Sequence, residues 1–196
     1  MTHELLIAHV KKLVDPRPED LNLFTSKLRE VVVTKGKFLL QPDTHVKHEY
    51  FVVKGCLSAY YLDKKGNKNI VQFAIENWWL GDFDAFYNGV PSKLHIEALE
   101  DSTLLAINYD DLQILFQQAP IFERYFRVLV TSAFISLRKR ILSSLGKSVK
   151  ERYVEFCESY PNIEGRVPNY QIANYLGVSA ESLSRARRKM RALKKT

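Results

Sequence analysis

The stretch VPNYQIANYLGVSAESLSRARRKMRAL, Val167 to Leu193, decides how this 196-residue chain is read. Ile172, Ala173 and Leu176 share one face of a first helix, Gly177 suits the left-handed conformation that ends it, and Val178 turns inward. Ser179 then offers its hydroxyl to a free backbone N–H of a second helix. Glu181 lies in that helix's first turn, where the dipole favours an anion. Leu183, Ala186 and Met190 recur at helical spacing and pack back on the first helix, while Ser182, Arg185, Arg188 and Arg191 face elsewhere. The pattern predicts a helix-turn-helix whose second helix can enter a DNA major groove. The alternative is an ordinary helical hairpin with a solvated basic face.

Charge separates these readings. Arg166 to Thr196 holds eight Lys or Arg and one acid, Glu181, whereas residues 1–165 hold 21 basic and 21 acidic side chains of the chain's 29 and 22. The whole excess of +7 therefore lies in the last 31 residues. Solubility needs no such segregation, but neutralisation of phosphates does.

Composition, 46% hydrophobic and 26% charged, is that of a globular chain. No apolar run approaches the ~20 residues needed to span a bilayer, and Met1 to Val14 carries an acid and lysines where a signal peptide needs an apolar block. The expectation is a cytoplasmic protein without a membrane partner. Cys56 and Cys157 lie far apart with no partner motif and are expected reduced. They cannot supply the four ligands of an iron–sulfur cluster.

Working back toward the N-terminus, Ser148–Tyr160 is amphipathic, with Val149, Tyr153, Phe156 and Cys157 inward. Before it, Ile121–Leu145 runs without Gly or Pro and ends before Gly146. Tyr125, Val128, Ile135, Leu142 and Leu145 form one apolar stripe on this helix; Val130, Phe134, Leu137 and Ile141 form another. Two stripes predict one face on the chain's own body and one on a second copy, with Tyr125, Val128, Ile135 and Leu142 as the candidate dimer contact. A helix wholly buried in its own monomer is the alternative. Residues 31–109 read as short strands (VVVTKGKFLLQ, YFVVKGCLSAYYLD, NIVQFAI, LHIEALE, TLLAINY) separated by turn residues, which implies an antiparallel sandwich or rolled barrel. Two packing helices, residues 4–14 and 18–29, precede them, and Asp110–Gln118 suits a helix after them.

The predicted fold class is thus α+β: an N-terminal antiparallel, jelly-roll-like β-roll, a long dimerisation helix and a C-terminal helix-turn-helix. The corresponding domains are 1–118, 119–146 and 147–196.

That order of parts resembles the Crp/Fnr (catabolite activator) superfamily of bacterial transcription regulators. The resemblance runs from about Leu21 to Leu193 and is carried by Tyr50-Phe51-Val52-Val53-Lys54-Gly55, Gly66, Leu80-Gly81-Asp82-Phe83 and VSAESLSRAR. It implies a sequence-specific DNA-binding regulator that works as a homodimer, with RNA polymerase as a further partner, and no enzymatic activity. In that family a phosphate-binding cassette pairs a carboxylate with a ribose and an Arg-Ser-Ala arginine with a cyclic phosphate. Here Gly81, Asp82 and Phe83 match the first part, but Ser92 and Lys93 stand where the arginine and serine would. Lysine supplies charge without the planar bidentate clamp, so the pocket is expected to be degenerate and not to use cyclic AMP in the usual way. No cofactor is expected beyond an unidentified small-molecule effector.

In the second helix the resemblance puts base reading on Glu181 and Arg185, with Ala180 replacing the family's first arginine. Asn169, Tyr170, Ser179 and Ser182 join them as candidate DNA contacts, and Arg187, Arg188, Lys189 and Arg191 as phosphate contacts. The β-hairpin wing that usually follows is expected absent or truncated at Leu193-Lys194-Lys195-Thr196. Two other classes of function compete with this reading. His45 and His48 are three apart, which puts them on opposite faces of a continuous strand and speaks against a metal-binding cupin site. A β-roll adaptor whose basic tail meets a protein or RNA would show no preference for palindromic duplex DNA.

Overall fold

The computed structural model describes residues 2–193, with side chains to Met190. Helices α1 (Glu4–Leu13) and α2 (Pro18–Ser26) come first, broken by the two prolines of Asp15-Pro16-Arg17-Pro18. Eight strands follow: β1 (Arg29–Val33), β2 (Phe38–Leu40), β3 (His48–Lys54), β4 (Leu57–Leu62), β5 (Lys68–Ala74), β6 (Trp79–Leu80), β7 (His95–Ala98) and β8 (Ser102–Asn108). A short helix α3 (Phe83–Asn88) lies between β6 and β7. The strands form two antiparallel four-stranded sheets, ordered β1-β8-β3-β6 and β2-β7-β4-β5. This is the expected β-roll.

The run YFVVKGCLSAYYLD is two strands in different sheets rather than one. Gly55 makes the crossing with φ +113°, and a Cβ there would stand 2.2 Å from the Ser102 hydroxyl, so only glycine fits. The first run likewise splits into β1 and β2 at Gly36 (φ +76°).

Helices α4 (Tyr109–Gln118), α5 (Ile121–Gly146), α6 (Val149–Ser159), α7 (Asn169–Leu176) and α8 (Ala180–Leu193) complete the chain. Asn108 caps α4 through Oδ1 and the Asp111 N–H (2.8 Å); Ser148 and Glu151 make a capping box on α6. The 26 residues of α5 give a rod of ~39 Å.

Three apolar layers hold these parts together. Val52, Leu57, Ala59, Leu80, Ile96 and Leu104 fill the roll between its sheets. Outside the first sheet, Phe51, Leu105 and Ile107 pack with Leu6, Val10, Phe24, Leu115, Phe122 and Tyr125 of the helices. Outside the second, Tyr60, Ile70 and Phe73 pack with Tyr153, Phe156, Tyr160, Ile172, Ala173, Leu176 and Leu183. The roll and the C-terminal helices therefore share one continuous core.

Polar contacts cross that same boundary. Arg166 pairs with Glu76 (2.7 and 3.0 Å) and Glu100 (2.8 to 3.2 Å), and Asn174 Oδ1 accepts the Ile70 N–H at 2.7 Å. Hydrogen bonds and charge from both glutamates push the Arg166 pKa above its already high ordinary value. The clamp holds the C-terminal helices in one orientation on the roll.

Candidate nucleic-acid interface and effector site

The helix-turn-helix forms as its residues dictate. Gly177 caps α7 at φ +64°, Arg152 donates to the Leu176 carbonyl at the same end, and Ser179 Oγ accepts the Ser182 N–H at 3.1 Å to start α8. Leu183 is fully buried against α6 and α7, while Ala186 and Met190 are half-buried. The opposite face of α8 presents Ala180, Glu181, Arg185, Arg188 and Lys189 to solvent, with Ser182 half-buried beside them. In the free chain Arg185 pairs with Glu181 (3.1 Å), an exposed i,i+4 bridge that DNA bases can displace at little cost. Tyr170 is exposed at the start of α7.

Two of the expected contacts face inward. Arg187 donates to Asn169 Oδ1 (2.8 Å), pairs with Glu164 (3.3 Å) and lies over the Tyr153 ring; Asn169 also donates to Ser184 Oγ (3.1 Å). Arg187 and Asn169 thereby join the two helices of the motif, which corrects the assignment of Arg187 to phosphate. The Arg191 side chain and residues 194–196, with the expected missing wing, lie outside the described residues.

Helix α5 changes environment along its length. Phe122, Tyr125 and Phe126 are buried, and beyond Leu129 its inward face is polar: Arg140 donates to the Val71 carbonyl, and Ser143 to Glu155. Tyr125 is thus not a dimer contact. It accepts the Trp79 indole N–H (3.0 Å) and meets His9 Nδ1 at 2.9 Å. An indole only donates, so the tyrosine proton goes to Nδ1 and a neutral His9 carries its own on Nε2. Burial, helped by Lys12, lowers the His9 pKa to match. Val128 is half-buried, whereas Val130, Phe134, Ile135, Leu137, Ile141, Leu142 and Leu145 are all exposed. Spacings of four, three and four put Val130, Phe134, Leu137 and Ile141 in one row.

In the cassette the structure brings Gly81, Asp82 and Ser92 together and leaves Phe83 and Lys93 exposed. The buried Asp82 carboxylate accepts the Ala85 N–H (3.3 Å) as the N-cap of α3 and the Ser92 hydroxyl at 2.7 Å. Each of its oxygens thus accepts one hydrogen bond from within the protein, and the roll interior is packed with side chains. Lys93 points to solvent and does not stand in for the missing arginine.

One acid went unread in the sequence. Glu49 on β3 is only 3% exposed, and neither carboxyl oxygen has a hydrogen-bond partner. Burial, then the charge of Asp82, push its pKa up to about 8, so it is a neutral acid at pH 7. A Cβ on Gly81 would lie 2.3–2.5 Å from that carboxyl group, so the glycine makes room for it.

A β-roll is thus joined by one long helix to a helix-turn-helix. Residues 30–119 match the cyclic nucleotide-binding domain family. The chain is 24% identical to the transcriptional regulatory protein btr of Bordetella pertussis, over 92% of this chain and 78% of that one. It is 25% identical to the fumarate and nitrate reduction regulatory protein of Yersinia pestis, over 80% of this chain and 66% of the relative. Its fold superposes on FixK2 of Bradyrhizobium japonicum with a TM-score of 0.74, covering 85% and 86% of the two chains at 19% identity. The two sequence relatives are named as regulatory proteins rather than enzymes, and the likeness to them runs through both the roll and the C-terminal helices. Among the described residues no helix is long and apolar enough to cross a membrane.

Proposed function

We propose that this chain is a sequence-specific, homodimeric DNA-binding regulator whose roll does not take cyclic AMP in the usual way. The outward face of α8 carries the reading: a buried Leu183 on one side, and Glu181, Arg185, Arg188 and Lys189 in solvent on the other. Arg185 has the donor fork that matches guanine O6 and N7, and Glu181 an acceptor for a cytosine amino group; Arg188 and Lys189 supply phosphate charge. The exposed row Val130, Phe134, Leu137 and Ile141 supports pairing of two α5 helices, since a soluble monomer has no reason to keep such a stripe in water. A two-fold pair would present its two α8 helices to half-sites about one DNA turn apart. RNA polymerase is the partner a DNA-bound regulator of this kind would address.

For the roll, Asp82 is already engaged by Ser92 and Ala85, and a bidentate cation is missing from the cassette. Selection of duplexes from a random DNA pool, with and without cyclic AMP, tests all three parts. The expected result is an inverted repeat with fixed half-site spacing, enriched equally in both arms. Enrichment of no motif, or binding of RNA and random duplex with equal strength, refutes the reading.

A further inference from the structure

The regulator reading leaves unnamed what the roll senses, and the acid pair at Glu49 bears on that question. Glu49 projects from β3 to the same side as Phe51, two residues on, away from the roll interior where cyclic nucleotides would sit. Its cross-strand neighbour is the buried Ile107, and the carboxyl lies against Gly81 and near Asp82. An unpaired buried carboxyl is costly and rare in folded proteins, and here the lack of a side chain at Gly81 makes room for it.

The same end of the roll carries an aromatic cluster. Phe83, Tyr87 and Tyr109 are 47%, 41% and 41% exposed, though each touches another ring. Phe83 lies 5.4 Å from Tyr87, Tyr87 6.0 Å from Tyr109, and the buried Phe86 5.1 and 5.7 Å from the two tyrosines. Burial and, once Glu49 is ionised, its nearby charge raise the Tyr87 pKa, and Asp82 caps the helix that carries Phe83, Phe86 and Tyr87. Rings and acids thus belong to one small region.

We propose that Glu49 and Asp82, with Phe83, Tyr87 and Tyr109 around them, form a site for a compact organic cation of the alkylammonium class. Ring faces attract a cation, and a desolvated carboxylate without a partner completes its pairing. A divalent metal fits less well. It needs six or more oxygens, and the described residues contain no group of three His, Cys, Asp or Glu side chains that could hold one. Binding would ionise Glu49: the carboxyl proton passes to the buffer, and the carboxylate pairs with the ammonium. A ligand would then reorganise α3, next to Trp79, whose indole reaches Tyr125 of α5 and so the helix expected to join two copies.

The inference rests on the regulator reading only for its biological sense, and its test uses no DNA. The full chain is titrated calorimetrically at pH 7 with n-butylammonium chloride, in two buffers of different ionisation heat. Sodium chloride and 1-butanol serve as controls. Saturable binding with release of up to one proton per site is expected, absent with either control. Glu49→Gln should weaken binding at least tenfold and abolish proton release; Phe83→Ala, on the surface, should weaken it severalfold and keep the release. Equal heats for butanol, binding without proton release, or undiminished binding by folded Glu49→Gln each overturn the proposal. If Glu49→Gln does not fold, proton release by the unsubstituted chain and the loss in Phe83→Ala decide it. A null result here leaves DNA selection free to succeed.

Discussion

Replacing Glu49 by Gln tests the buried acid without any ligand. The folded chain holds this proton to about pH 8, whereas the unfolded chain releases it near the ordinary value of 4.5. Between those values the folded state binds more protons, so stability must fall as pH rises, with the stabilising effect complete below pH 4.5 and lost through about pH 8. At 1.36 kcal/mol per unit, the full window corresponds to roughly 5 kcal/mol as a ceiling, and partial relaxation would bring it to about 2–3 kcal/mol. Gln has the same shape and cannot ionise. The variant should therefore match the parent near pH 5 and exceed it by about 2–5 kcal/mol at pH 9. Urea unfolding of both proteins at pH 5, 7 and 9 measures the difference, and comparing the two cancels every other titrating group. Parallel pH profiles would show that Glu49 ionises freely in the folded chain, and the unpaired buried acid would have to be abandoned.

Other expectations follow from the same contacts. Phe134→Glu or Ile141→Glu on the exposed row of α5 should yield a folded monomer; sedimentation as a dimer would move the interface elsewhere. Arg185→Ala should cost roughly 1–3 kcal/mol at the selected site and much less on random duplex, read by competition gel shift; equal losses on both would make Arg185 a phosphate contact. His9 has a lowered pKa, so the unfolded chain binds the extra proton and stability should drop as pH falls below 6.5. His9→Asn, which keeps an acceptor for Tyr125, should flatten that acid limb, and an unchanged limb would assign it to other groups. Cyclic AMP should shift the melting temperature little, and a large concentration-dependent shift would restore the cassette as a nucleotide site.

The helix-turn-helix was legible because its determinants are local. Gly177, Ser179 and Leu183 act within a few residues of their partners, and each does in the structure what its spacing predicts. The strands and the long helix were legible for the same reason. What sequence could not separate was which neighbour a face meets. Tyr125 shares a stripe with Ile135 and Leu142, yet α5 leaves the helical core near Leu129, so one stripe begins in the protein's own interior and ends in solvent. Arg166 and Arg187 counted toward the basic excess, but their carboxylate partners include residues as many as 90 positions away. Glu49 follows His45, Lys47 and His48 in sequence, and nothing local signals that it and Phe51 are buried beneath helices. Its one readable companion was Gly81, which the family resemblance had already explained in other terms.

The layer in which Phe73 and Tyr60 of the roll meet Phe156, Tyr160 and Leu176 bears on modularity. Regulators built as a sensor and a reader invite exchange of one half for that of a relative. Here such a graft would face a mismatched jigsaw: a foreign reader must fill the space against Phe73 and offer a cation to Glu76 and Glu100. A substitution at the seam therefore calls for a matching one across it, because the seating of the C-terminal helices at Arg166 and Phe156 is tied to the roll.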